Sequence, residues 1–223
     1  MKVSEALESR ISVRAFSPKK VPVETITSVL KRASRSPSGG NLQPWRMVVL
    51  SGEKLEAFTT LMEKKLANKG HSESEASEYA VYPPKLKEPY RSVRFEVGEQ
   101  MYSLLGISRD ERPKRLDWFA NNFQFFGAPA AVFCFVDRIM GPPQWSDLGM
   151  YLQSVMLLFQ EEGIDTCAQE CWAAYPKTVH KFCSMPEDLM LFCGMAIGYR
   201  DETHPVNKLR TDRMDTNDWL KVL

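Results

Sequence analysis

RISVR, residues 10–14, sets two arginines and a serine on alternate positions with Ile11 and Val13 between them. In an extended segment side chains alternate faces, so Arg10, Ser12 and Arg14 share one side while Ile11 and Val13 face the other. The polar side is a cationic row of hydrogen-bond donors. Two guanidinium forks and a hydroxyl suit a compact anion with several acceptor oxygens, such as a terminal phosphate, better than a single carboxylate. Five residues alone favour an ordinary solvated strand edge, so the reading depends on what the rest of the chain supplies.

Outward from this row the periodicities alternate. Residues 22–35 carry Val23, Ile26, Val29, Leu30 and Ala33 at helical spacing, with Pro22 at the start and Glu24 in the first turn. RMVVL (46–50) reads as a buried strand, and residues 53–70 as a second helix stopped by Gly70. The stretch 71–90 has charge, serine and three prolines without core periodicity, and reads as a surface excursion. Residues 91–126 read as helical and hold Tyr102, Trp118, Phe123, Phe125 and Phe126. AAVFCFV (130–136) is a buried strand, and Asp147–Glu162 a helix capped at Ser146, stopped at Gly163 and apolar almost all round. Such a helix needs cover on most sides, and a partner subunit is one source of it. LMLFCGMAIGY (189–199) reads as the last strand, followed by a polar arm over 200–223 with a short amphipathic end. The expectation is one domain over 1–223, with 70–125 as a variable lid region.

Composition narrows the partners. The 223 residues are 43% hydrophobic, and 29 basic side chains nearly cancel 28 acidic ones, for a net charge of +1. No broad field for nucleic acid or anionic membrane follows. The longest apolar stretch, APAAVFCFV (128–136), is about half a membrane span, and no apolar segment follows a basic start, so a cytoplasmic protein is expected. Five scattered cysteines without a C-x-x-C pair argue against disulfides and zinc. His71, His180 and His204 have neither metal-ligand nor triad spacing, and no metal is expected. No G-x-G-x-x-G or P-loop is present.

Three further pieces bear on the arginine row. SPSGGNLQPW (36–45) offers small residues where a backbone can approach a ligand, with N–H groups at Ser38, Gly39 and Gly40 and amides at Asn41 and Gln43. DTCAQECW (165–172) reads as a strand breaking into a loop, and LRTDR (209–213) adds two arginines. Taken in order with NNFQFFGAP (121–129) and WSDLGMYLQSVMLLF (145–159), these pieces resemble the nitroreductase family of FMN flavoproteins, within it most closely the nitroaromatic reductases.

The resemblance implies an α+β fold, with a central, mostly antiparallel sheet flanked by helices and a C-terminal arm exchanged across a homodimer. It implies bound FMN, with NADH or NADPH as transient reductant, and a ping-pong hydride transfer to nitroaromatic, quinone or similar small electrophiles. Arg10, Ser12, Arg14, Arg210 and Arg213 match the phosphate grip. Pro37, Ser38, Gly39 and Asn41 match the segment along the flavin, while Asn121 and Gln124 stand where relatives contact its pyrimidine end. Ala168, Gln169, Glu170 and Cys171 match the loop over its other face, with the backbone N–H groups of Glu170 and Cys171 toward N5 and O4. No side chain is required as catalyst, since the flavin carries the chemistry. Alternative readings are a reductive dehalogenase of the iodotyrosine type, whose lid pattern is not found, and a flavin-binding protein without turnover.

Overall fold

A computed structural model describes residues 1–69 and 74–223. Gly70, expected to stop a helix, and His71 lie outside the described residues. In chain order the elements are α1 (Val3–Ser9), α2 (Val23–Ala33), β1 (Arg46–Ser51), α3 (Gly52–Lys69), α4 (Tyr90–Leu104), α5 (Arg112–Ala120), β2 (Ala130–Asp137), α6 (Pro142–Glu161), β3 (Asp165–Gln169), α7 (Pro176–Cys183), β4 (Leu189–Gly198) and α8 (Thr216–Trp219). The strands form one antiparallel sheet in the order β1-β2-β4-β3. The fold is α+β, with helices on both faces of this small sheet.

The alternation of side chains along the strands builds two cores. Val132, Cys134 and Val136 of β2, with Cys193, Met195 and Ile197 of β4, face α6 and α2, where Ile26, Leu148, Val155 and Phe159 meet them. Ala131, Phe133 and Phe135, with Leu191 and Ala196, face the opposite way onto Phe58 of α3, Phe125 and Trp172. β2 and β4 are buried on both sides, and accordingly read as unbroken apolar runs.

Four departures from the sequence expectations have local causes. α1 was not foreseen: seven residues give little periodicity, and a backbone N–H of Lys2 bonded to Glu5 at 2.8 Å closes its first turn. α6 begins at Pro142 and not after Ser146, because Pro142 and Pro143 occupy the first turn, where no N–H is needed. Ser146 is inside the helix, and its hydroxyl donates to the Pro143 carbonyl at 2.6 Å. The helical stretch 91–126 is three pieces, separated at Gly106, with φ +66°, and at a tight turn over Asn121–Gly127. In that turn Phe125 and Phe126 are both left-handed, with φ of 49° and 54°, a costly conformation for aromatic residues.

The described part of the excursion is bound to the body. Ser77 donates to the Ala173 carbonyl at 2.8 Å, Glu75 N–H to that of Ala174 at 2.8 Å, and Leu191 N–H to Glu78 at 3.2 Å. Glu75 also pairs with Lys65 at 2.9 Å and accepts from the Thr178 N–H at 3.1 Å. Residues 74–79 are thereby fastened along β4 and α7.

Candidate functional site

The arginine row is extended, as its alternation dictates. Ser12 pairs with Thr166 of β3 in a parallel bridge, and Val13 is fully buried with its N–H on the Thr166 carbonyl at 3.1 Å. Arg10, Ser12 and Arg14 remain half-buried. Asn207 clamps the row's end: its side-chain oxygen accepts from Arg14 N–H at 2.9 Å, and its amide donates to the carbonyls of Ala15 at 2.8 Å and Asp201 at 2.9 Å. Beneath it Asp165, buried, receives Arg200 on both oxygens at 2.5 and 2.8 Å and Gln160 at 2.9 Å. That pair fixes the start of β3 to the chain leaving β4.

Beside this row opens a cleft of about 580 Å³. One wall is the end of β3 and the turn after it, Ala168, Gln169, Glu170, Cys171, Ala174 and Tyr175, together with Arg14. The other is aromatic, with Trp118, Phe119, Phe123 and Phe126, while Ser74, Ser77 and Tyr82 come from the excursion and Arg94 from α4. Gly194 allows this turn to sit where it does: Trp172 packs flat on it, and a Cβ there would fall 2.4 Å from the indole Cδ1. The shape and lining suit a flat ligand with apolar faces and polar edges.

Electrostatics separates side chain from backbone in the turn. Burial raises the Glu170 carboxyl. Burial, then Cys167, pushes the Cys171 thiol well above its ordinary value, so the thiol is neutral at physiological pH and is a poor nucleophile. The Cys167 thiol is raised by burial and pulled back by Arg14 and Arg10, which places both guanidinium charges near the end of β3.

Two buried side-chain atoms here lack any partner: Arg10 Nε and Thr166 Oγ1. Orphaned donors in the interior are rare and costly, and these two flank Ser12. An anionic oxygen group reaching this corner satisfies them, which is the fit expected of a phosphate-bearing ligand.

The structure distributes the sequence-predicted residues unevenly. Arg14 and Ala168, Gln169, Glu170 and Cys171 share the cleft, while Arg10 and Ser12, on the same extended row, are not on its lining. Arg210 reaches the Ser9 carbonyl at 3.4 Å, next to the row. Arg213 bonds only within its own arm, to Thr211 and Asp212, in a groove of about 150 Å³ shared with Val93 and Val97 of α4. Gln124 is not brought to the cleft: its amide donates to the Thr59 carbonyl at 3.2 Å and lines a separate cavity with Val21 and Leu55. Asn121 is not on the lining either; Asn122 is, with its carbonyl accepting from Gln169 at 2.8 Å. The three amides sit within a single tight turn over Asn121–Gly127, and which of them faces inward is a signal that side-chain periodicity does not carry.

Pro37, Ser38, Gly39 and Asn41 lie elsewhere. Gly39 N–H, expected to be open to a ligand, donates to buried Asp147 at 3.2 Å, and Ser36 bonds Ser154 at 2.7 Å. The end of α1, just before the arginine row, contacts the other end of α6, where Ser9 donates to Gln160 at 3.2 Å. Asp147 and Gln160 stand about 20 Å apart along the helix at 1.5 Å per residue, so the 37–41 segment and the chain entering the row pack against opposite ends of α6.

The nitroreductase family model matches residues 7–199. The chain is 33% identical to the 4-nitrobenzoate reductase of Pseudomonas putida over 92% of its own length and 88% of the relative's. Among solved structures it resembles the FMN and NADPH-dependent nitroreductase NfnB of Sphigopyxis sp. strain HMH, at 43% identity and a TM-score of 0.95, covering 100% of this chain and 99% of that one. It also resembles the FMN-dependent NfnB of Mycobacterium smegmatis, solved with NADPH, at 27% identity and a TM-score of 0.91, with 100% of both chains covered.

Proposed function

This chain belongs to the nitroreductase family, and on that footing we propose that it is an FMN-dependent oxidoreductase that takes hydride from NADPH or NADH and passes it to nitroaromatic or quinone-like acceptors in ping-pong order. The observation that carries the reading is an aromatic-walled cleft lined by Arg14 of the row, where Arg10 Nε of the same row and Oγ1 of Thr166, the bridge partner of Ser12, are buried without partners.

FMN, when bound, supplies the hydride-accepting and hydride-donating chemistry. The chain holds it and leaves one face open. Arg10, Ser12 and Arg14, with Thr166, Arg210 and Arg213, are the groups for its phosphate. The backbone N–H groups of Glu170 and Cys171 would be the donors for the ring edge that accepts hydride. The neutral Cys171 thiol supports a backbone role for that residue. Asn122 stands on the lining where Asn121 and Gln124 were expected.

The packing of the 37–41 segment against one end of α6 and of the chain entering the arginine row against the other supports a homodimer in which one chain lends Pro37, Ser38, Gly39 and Asn41 to the cleft of the other. The exposed apolar residues of α6 and the arm, Met150, Trp219, Leu220 and Val222, are surfaces that such a partner covers. Among the described residues no helix is long and apolar enough to cross a membrane.

The test is an absorption spectrum of the purified protein with identification of the released chromophore, followed by anaerobic NADPH and then 4-nitrobenzoate. Released FMN, bleaching by NADPH and return of colour with the acceptor are expected. A protein that cannot be reconstituted with FMN refutes the reading. Arg10→Ala and Arg14→Ala should each weaken FMN retention about 10- to 100-fold, the worth of one bond to a charged group. Unchanged occupancy in both would show that the phosphate sits elsewhere.

A further inference from the structure

Among the described residues three charged side chains line the cleft, Arg14, Arg94 and Glu170. Arg14 belongs to the row assigned to the cofactor phosphate, which leaves Arg94 of α4 as the second cation. Two of the charged residues on the same helix are paired elsewhere: Arg91 with Glu88 at 2.6 Å, and Glu99 with Arg115 at 2.6 and 3.2 Å. Among the described residues Arg94 has no carboxylate at ion-pair distance, and its guanidinium lies 4.0 Å from the centroid of the Tyr82 ring. Tyr82 also lines the cleft. Stacking on an aromatic face fixes the plane of a guanidinium and leaves its edge N–H groups free to form a fork. Arg94 and Tyr82 are shared with an adjoining cavity of about 470 Å³ that reaches Leu209, so the pair stands where the cleft opens outward.

We infer that Arg94, held by Tyr82, is the anion anchor of the open half of the cleft, taking a carboxylate or comparable oxyanion carried by a ligand that lies against the aromatic wall. The inference rests on the FMN oxidoreductase reading, which leaves that half to transient ligands. Two sources share the chemistry: an anionic substituent on an aromatic acceptor, and the 2′-phosphate that distinguishes NADPH from NADH. The aromatic wall and the modest volume favour the first. Arg94 thereby selects among acceptors that the flavin would reduce alike, and it does so by binding, without touching the chemical step.

The test uses unreactive ligands on the oxidised, FMN-loaded protein, by calorimetry and flavin absorbance perturbation. Benzoate is compared with benzamide, and adenosine 2′,5′-bisphosphate with 5′-AMP, in wild type, Arg94→Met and Arg94→Lys. Arg94→Met should weaken benzoate about tenfold or more, the loss of one charge-assisted fork, with benzamide unchanged. Arg94→Lys should restore part of it. A selective loss confined to the bisphosphate supports the anchor and assigns it to the reductant. Equal ratios in all three proteins overturn the inference, and so does release of FMN from Arg94→Met with the fold intact, which would make Arg94 part of the cofactor grip. A wild-type protein that holds no FMN refutes the underlying reading instead, before any variant is compared.

Discussion

Replacing Gly194 by alanine puts the largest strain the structure can predict on the floor of the cleft. A Cβ at that position falls 2.4 Å from Trp172 Cδ1, 2.7 Å from Nε1 and 3.3 Å from Phe133 Cε1, where carbon contacts relax to about 3.5–4.0 Å. The indole has nowhere to go. It is fully buried, with ring centroids of Phe125, Phe133, Phe123 and Phe58 at 4.7, 5.2, 5.3 and 5.4 Å. Overpacking of a tight core costs about 1–3 kcal/mol, and an overlap of this size against an unyielding ring belongs at the upper end, about 3 kcal/mol. For a chain of this length that is a fall in Tm of roughly 6–12 °C. The sign is informative, because without a clash alanine in a strand interior should stabilise by about 0.5–1 kcal/mol. Trp172→Leu alone leaves a cavity, but combined with Gly194→Ala the new methyl enters vacated space, so the double variant should be more stable than the sum of the single losses by about 1–3 kcal/mol. Urea and thermal unfolding of the four FMN-loaded proteins measure the cycle. A Gly194→Ala Tm at or above wild type, or strict additivity, would refute the packing.

Two further outcomes follow from charge, at the buried Asp165 and at Glu170, which stays exposed so that solvent screens its shift and keeps the effect small. Asp165→Asn leaves the Arg200 guanidinium without its carboxylate. Breaking a buried pair costs about 3–5 kcal/mol, and the 18% exposure of the Arg200 side chain places this one at the lower end, a Tm loss of roughly 6–12 °C; a loss under 2 °C would show that the pair does not anchor β3. Glu170 has a carboxyl raised by burial, so its protonated form favours the folded state below the ordinary glutamate range, and that contribution fades as pH rises through the raised value. Glu170→Gln should therefore match wild type in Tm near pH 4 and exceed it at pH 8. A difference that is constant across that range, or reversed, would remove burial as the cause.

The legible parts of the protein are those whose cause is local. The period-2 alternation of RISVR specified an extended row, because a strand sends successive side chains to opposite faces whatever lies beyond it. The apolar runs of β2 and β4 and the 3.6-residue stripe of α2 were equally readable, since their periodicity is the imprint of the surfaces they bury. The start of α6 was misplaced because serine before an apolar run is a capping pattern, yet the two prolines ahead of it satisfy the first turn without a cap.

What the sequence by itself determined is the kind of residue the site uses: guanidinium forks, small residues, and a strand ending in a tight turn. Tertiary structure decided which of them meet. Gln124 and Asn122 are two residues apart in one tight turn, yet one bonds α3 and the other lines the cleft. Arg94, Tyr82 and Glu170 are brought to one cavity from α4, the excursion and the turn after β3. The chain entering the arginine row and the 37–41 segment pack against opposite ends of α6, at Gln160 and Asp147, about 20 Å apart along the helix. Local spacing fixes which face a side chain takes, whereas the distance between two faces is set by the helix packed between them.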